Sequence, residues 1–132
     1  MPERMPNHTM PYIDGDEALR HVESFYHSYT LSNPKLAESK KKTVEIFGSK
    51  NLEFYYAYYQ HGFDPITCSV LMPNKITSRL DRTGPIALIK SIEEYADGSK
   101  QEIQNTVVLN NDGMEIDSVS CPGNKGNLLP KT

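Results

Sequence analysis

The order of patterns along this chain predicts an α+β fold, with N-terminal helices packed on a curved antiparallel sheet. Between residues 14 and 60 apolar side chains recur mostly at steps of three and four, the helical period, whereas from Asp64 onward the pattern moves towards alternation. The second half is also punctuated by Asp97-Gly98 and Asn110-Asn111-Asp112-Gly113, turn sequences of the kind that join antiparallel neighbours. Helices first and strands last segregate the two layers, where a parallel α/β fold would interleave them. A chain of 132 residues supports one domain around one core. That domain is assigned to residues 14–121. The Pro-rich segment 1–13 reads as a flexible arm, and the Pro- and Gly-rich segment 122–132 as a flexible tail.

Asp14 is placed to cap the first helix, with Glu17 three residues on as in a capping box. Leu19, Val22, Phe25, Tyr26 and Tyr29 then form one apolar, aromatic face, and Arg20, Glu23 and Ser24 the other. Asn33 and Pro34 supply a cap and a first helical position for a second helix from about Lys35. Lys40-Lys41-Lys42 reads as its solvated face. Gly48 breaks the pattern, and Ser49 can cap a third helix from Lys50 to Gln60. Its sequence LEFYYAYYQ is so aromatic that Tyr55, Tyr56, Tyr58 and Tyr59 cannot all enter one core, so some must face a cavity or solvent.

Ile66 to Met72, rich in branched residues, is predicted as a strand, and Lys75 to Leu80 as a short one. After Gly84-Pro85 comes a long strand in which Ile86, Leu88, Lys90, Ile92 and Glu94 alternate with Ala87, Ile89, Ser91, Glu93 and Tyr95. Residues 100–109 return from the Asp97-Gly98 turn, and Met114 to Cys121 completes a meander. The apolar set Met114, Ile116, Val119, Cys121 slips by one residue after Ile116, which predicts a bulge there.

The formal net charge of −3 does not match the basic footprint of a nucleic-acid binder. No apolar run approaches the ~20 residues of a membrane span, and the first residues do not read as a signal peptide. The two cysteines, Cys68 and Cys121, lack metal-type spacing. Both fall in predicted strands. A bond between them would close a loop of about 54 residues, which the chain-entropy model values at roughly 4 kcal/mol; the alternative is two buried thiols acting as small hydrophobes. Oxidation would point to a periplasmic or secreted protein, and free thiols to a cytoplasmic one. His21 and His27 are six residues apart, not the four of a helical zinc pair. Neither a metal site nor a phosphate loop is evident, so no cofactor is expected.

The opening aromatic helix EALRHVESFYHSY and the closing segment IALIKSIEEYADGSKQEIQNTVVLNNDGMEIDSVS, with Asp112-Gly113 before the last strand, resemble the NTF2-like (cystatin-like α+β) superfamily, in particular its small bacterial domains of unknown function. An early β-hairpin after the second helix, usual in that family, is not evident here. The resemblance implies a cone in which the sheet curls around the first helices and leaves a cavity. It also implies two classes of function, because the superfamily holds isomerases and dehydratases as well as binding and immunity proteins. For a binding domain, the expected cavity or partner surface is lined by Tyr26, Tyr29, Tyr55, Tyr59, His61 and Asp64, facing a small apolar ligand or a protein partner. An acidic protein that blocks a toxin fits the size and charge. For a small isomerase or dehydratase, one of these Tyr hydroxyls would stabilise an oxyanion while Asp64 or His61 moved a proton. Asp117 and Glu94, the strand acids considered, read as outward polar residues. Non-catalytic binding is the favoured reading. A homodimer is expected through the sheet face, using Ile86, Leu88 and Ile92 against Val107 and Leu109.

Overall fold

Asp14 starts the first helix because its carboxylate Oδ1 accepts the backbone N–H groups of Asp16 (2.9 Å) and Glu17 (3.3 Å), donors that the first turn leaves unpaired. In the computed structural model, which describes residues 12–31, 37–58, 62–111 and 113–121, this helix, α1, spans Gly15–Leu31. Its predicted apolar face is the buried one: Val22, Phe25, Tyr26 and Tyr29 enter the core and Leu19 packs against its rim. Helix α2 spans Ala37–Phe47 and α3 spans Lys50–Tyr58. The Asn33 cap and Pro34 lie outside the described residues, as do Tyr59, His61, Asp112, residues 1–11 and the tail 122–132.

The break between α2 and α3 is pinned to the sheet. Ser49 Oγ accepts the Leu52 N–H (3.2 Å) as the expected cap of α3 and donates to Asp117 Oδ1 (2.8 Å), while the Ser49 N–H donates to the Ile116 carbonyl (2.9 Å). Gly48 is required here by space: a Cβ would sit 2.7 Å from the Val44 carbonyl oxygen and 2.6 Å from the Leu52 side chain.

Strands β1 (Lys75–Arg82), β2 (Ala87–Glu94), β3 (Lys100–Asn110) and β4 (Gly113–Ser120) form an open four-stranded antiparallel sheet in the order β1-β2-β3-β4. Asp97-Gly98 makes the β2–β3 turn, with Gly98 at φ 89° and the Asp97 carboxylate accepting the Ser99 N–H. A bond from the Ser99 hydroxyl, and after it the Ser99 N–H bond, hold the Asp97 carboxyl below its usual range. The predicted bulge is present: Thr106 pairs with Ser118 and Val107 with Ile116, leaving Asp117 as the extra residue. The helices cover the face formed by Ala87, Ile89, Ser91 and Glu93 of β2, Ile103, Asn105 and Val107 of β3, and Ile116 and Val119 of β4. Phe25, Leu19 and Ile89 thus share one core.

Five sequence expectations are corrected. The segment from Ile66 is a turn, not a strand; a bridge joins Asp64 to Ser69, and the Cys68 N–H donates to the Asp64 carbonyl (2.8 Å). Cys68 therefore sits in that turn at φ 59°, and Cys121 follows the end of β4; neither lies within a strand. Lys40 is not part of a solvated face, because its side chain is only 17% exposed and pairs with Asp64. Ile13, placed in the N-terminal arm, is buried and held by hydrogen bonds to Thr83 and Gly84. Finally, the proposed dimer patch mixes faces: Val107 is buried under the helices, whereas Leu88 and Ile92 lie on the other side of the sheet beside Lys90, which pairs with Asp81 and Glu102.

Candidate functional site

Asp64 gathers most of the residues selected from sequence. Its Oδ1 accepts the backbone N–H groups of Ile66 (2.8 Å) and Thr67 (3.2 Å), the bonds that fold the segment into a turn. Tyr29 donates its hydroxyl hydrogen to the same carboxylate, with both oxygens within 2.9 Å, and Lys40 Nζ lies 3.2 Å from Oδ2 and 5.1 Å from the Tyr29 ring centre. Tyr26 donates to the Ile66 carbonyl (3.3 Å) and Tyr55 to the Pro65 carbonyl (3.3 Å). Tyr26, Tyr29, Tyr55 and Asp64 therefore converge, but on the chain itself: three hydroxyls hold a turn to α1 and α3. Burial, with the Asp64 charge as a further cause, pushes the Tyr29 hydroxyl far above its usual range. Burial also raises Tyr26, although its bond from Asn105 opposes this. Both hydroxyls are thus fixed as protonated donors with committed hydrogens. Tyr59 and His61 lie outside the described residues. Of the remaining Tyr-rich segment, Phe54 and Tyr58 are exposed and pack as a tilted pair with ring centres 4.5 Å apart on the surface of α3.

A second polar group was missed from sequence. Glu93 is fully buried on the helix-covered face of β2. Its Oε1 accepts the Tyr95 hydroxyl hydrogen (2.5 Å) and an amide hydrogen of Gln101 (2.8 Å), the residue directly across β3. Among the described residues its Oε2 has no hydrogen-bond partner. Burial disfavours the charged form and pushes the carboxyl up to about 7, against the pull of the bonds from Tyr95 and Gln101. The same burial, with Glu93 as acceptor, raises the Tyr95 hydroxyl. Gln101 Nε2 also reaches the carbonyls of Thr67 (3.2 Å) and Cys68 (3.0 Å) and the Tyr95 oxygen (3.3 Å). An amide group carries two hydrogens, fewer than the acceptors around it. The signal for Glu93 was Lys90: a charge in the middle of a strand marks its alternation phase as outward, and so turns Glu93 inward. Glu94 lies on the outward phase as read, and Asp117 is occupied by Ser49 and Asn51.

Tyr95 and Gln101 form part of the wall of a cleft of about 660 Å³ between residues 63–71 and the β2–β3 turn. Phe63, Val70 and Leu71 line its apolar side, and Val70 and Leu71 are among the most exposed large apolar residues of the described part of the chain, at 78% and 71%. Cys68 lies in the same wall and is bonded to Cys121, with the two Cα atoms 5.8 Å apart. The bond fastens the cleft's outer segment to the end of the sheet. Elsewhere, Tyr26 and His27 line a smaller cleft of about 380 Å³ between α1 and β1, and Tyr56 and Tyr58 a groove of about 630 Å³ between α2 and α3. Among the described residues no cluster of three metal-ligating side chains occurs, and no helix is long and apolar enough to cross a membrane. No family model, curated protein or solved structure matches the chain.

Proposed function

We propose that the chain is a non-catalytic binding domain that takes its ligand in the cleft between residues 63–71 and the β2–β3 turn. The carrying observation is the pairing of exposed apolar Val70 and Leu71 with the convergent polar groups Tyr95 and Gln101, the usual composition of a small-molecule site. The order of three helices followed by an antiparallel meander supports an NTF2-like reading of the fold. The Cys68–Cys121 bond supports an oxidising compartment, periplasmic or secreted. Ligand-observed NMR with a library of small amphipathic molecules tests the site. Hits should be lost in Val70→Ser/Leu71→Ser and retained in Phe54→Ser/Tyr58→Ser; the reverse pattern would move the site to the groove between α2 and α3.

The second reading, an isomerase or dehydratase, draws support from Glu93, a buried carboxylate hydrogen-bonded to a Tyr hydroxyl and raised to about 7. Against it, the Tyr95 hydrogen is already given to Glu93 and not to an incoming oxyanion. Incubation with a β,γ-unsaturated ketone separates the two. No conjugated product is expected, and turnover abolished by Glu93→Gln would establish the catalytic reading.

A further inference from the structure

The polar network behind the Tyr95 and Gln101 wall of the cleft holds more acceptors than donors. Glu93 brings two carboxylate oxygens, residues 67 and 68 two backbone carbonyls and Tyr95 its hydroxyl oxygen, whereas the donors around them are the Tyr95 hydroxyl, the two amide hydrogens of Gln101 and the Ser69 hydroxyl, which also bonds the Leu71 carbonyl. The deficit falls on Glu93 Oε2, a buried oxygen with no partner among the described residues. A buried acceptor left unpaired costs free energy that an incoming donor recovers. The carboxylate lies directly behind Tyr95 and Gln101, the two residues that both bond its other oxygen and line the cleft. Glu93 does not itself line the cleft, so a ligand would reach it only with those two side chains rotated outward.

We propose that the cleft takes a small amphipathic amine, its apolar body against Phe63, Val70 and Leu71 and its ammonium hydrogens received by the Glu93 carboxylate. This rests on the reading of the cleft as a binding site and adds the class of ligand. The charged and titratable groups around Glu93 agree with that polarity. Tyr26 faces it from α1 and Asp64 from the turn, the latter already paired with Lys40 of α2; Tyr95 follows on β2, and Asp97 and Lys100 stand in the cleft wall. An anionic ligand would face the carboxylates of Glu93, Asp64 and Asp97, whereas an ammonium adds the missing donor and offsets the Glu93 charge.

The test uses the oxidised full chain with three probes of similar shape: 2-phenylethylammonium, 2-phenylethanol and 3-phenylpropanoate. Calorimetric titration at pH 8 should show the ammonium binding at least about tenfold tighter than the alcohol, in line with a charge-assisted hydrogen bond. The carboxylate should bind most weakly. Amide NMR shifts should map to Val70, Leu71 and Gln101. In Glu93→Gln the ammonium should fall to the affinity of the alcohol, and the alcohol should be little changed. Should that variant not fold, the native protein still decides: ammonium affinity should rise about tenfold from pH 6 to pH 8 as Glu93 ionises, while that of the alcohol stays flat. Equal binding of alcohol and ammonium at pH 8 overturns the ligand class and leaves the cleft reading standing. Shifts confined to other surfaces, or no binding by any of the three probes, overturn both.

Discussion

Two acidic residues of this chain carry opposite consequences, and their surroundings decide which. Asp64 meets a hydroxyl, an ammonium and two backbone N–H groups, all donors. Tyr29→Phe removes one donor to a charged acceptor and should lower stability by about 1.5–3 kcal/mol, read as a fall in the urea midpoint at unchanged m. Glu93 is instead short of donors. Its carboxyl is raised from the ordinary 4.5 to about 7 in the folded protein, so between these values the native state binds more protons than the unfolded chain. The contribution is therefore fully present below about pH 4.5 and is lost as pH rises through 7. The loss amounts to something on the order of 3 kcal/mol by pH 8. Chemical denaturation across pH 5–8 should show this decline, and Glu93→Gln should flatten it. A wild-type profile that rises over that range would contradict the assignment.

At the scale of elements, the turn at residues 64–69 and the α2–α3 break hold helices to sheet. The Cys68–Cys121 bond spans 53 residues of sequence, so replacing both cysteines by Ser should cost about 4 kcal/mol on the chain-entropy model, measured by thermal or urea unfolding. A thiol assay of the unreduced, unfolded protein should find no free thiol. Two free thiols would remove the basis for an exported protein. Gly48 has no room for a methyl group, because one contact is a backbone carbonyl that cannot swing aside. Gly48→Ala should therefore destabilise by about 1–3 kcal/mol, although alanine is the better helix former; Ser49→Ala, which removes the cap of α3, should cost about 1 kcal/mol.

Across the whole molecule, β2 and β3 are paired on both sides while β1 and β4 are the edge strands, β4 being met at Ile116 by the Ser49 N–H. The core places Phe25, Tyr29, Ile89, Ile103 and Val107 between the helices and these central strands. Native-state hydrogen exchange should accordingly find the slowest amides in β2 and β3, approaching the global unfolding free energy, with β1 exchanging sooner through local opening. Slowest exchange in α2 or α3 would show that the helical layer, and not the sheet, is the last part to open.

Local rules determined much of this protein. The Asp14 cap, the aromatic face of α1, the Ser49 start of α3, the two hairpin turns and the slip at Asp117 are written in neighbouring residues, because caps, periodicity and turn conformations act over a few positions. The same rules misread Ile66 to Met72: branched residues favour a strand, but Asp64 captures the following N–H groups, and hydroxyls from Tyr26 and Tyr55, with the Tyr29 bond to Asp64 itself, hold the turn from 10 to 40 residues away. Tyr26, Tyr29, Tyr55 and Asp64 were expected as the lining of a cavity; packing instead brings them onto the chain's own turn, a placement that no local pattern encodes. Glu93 shows the converse. Its alternation phase was legible, but its burial, its partners and the cleft beside it depend on where residues 63–71 come to rest, and that position is set by long-range contacts that no local pattern encodes.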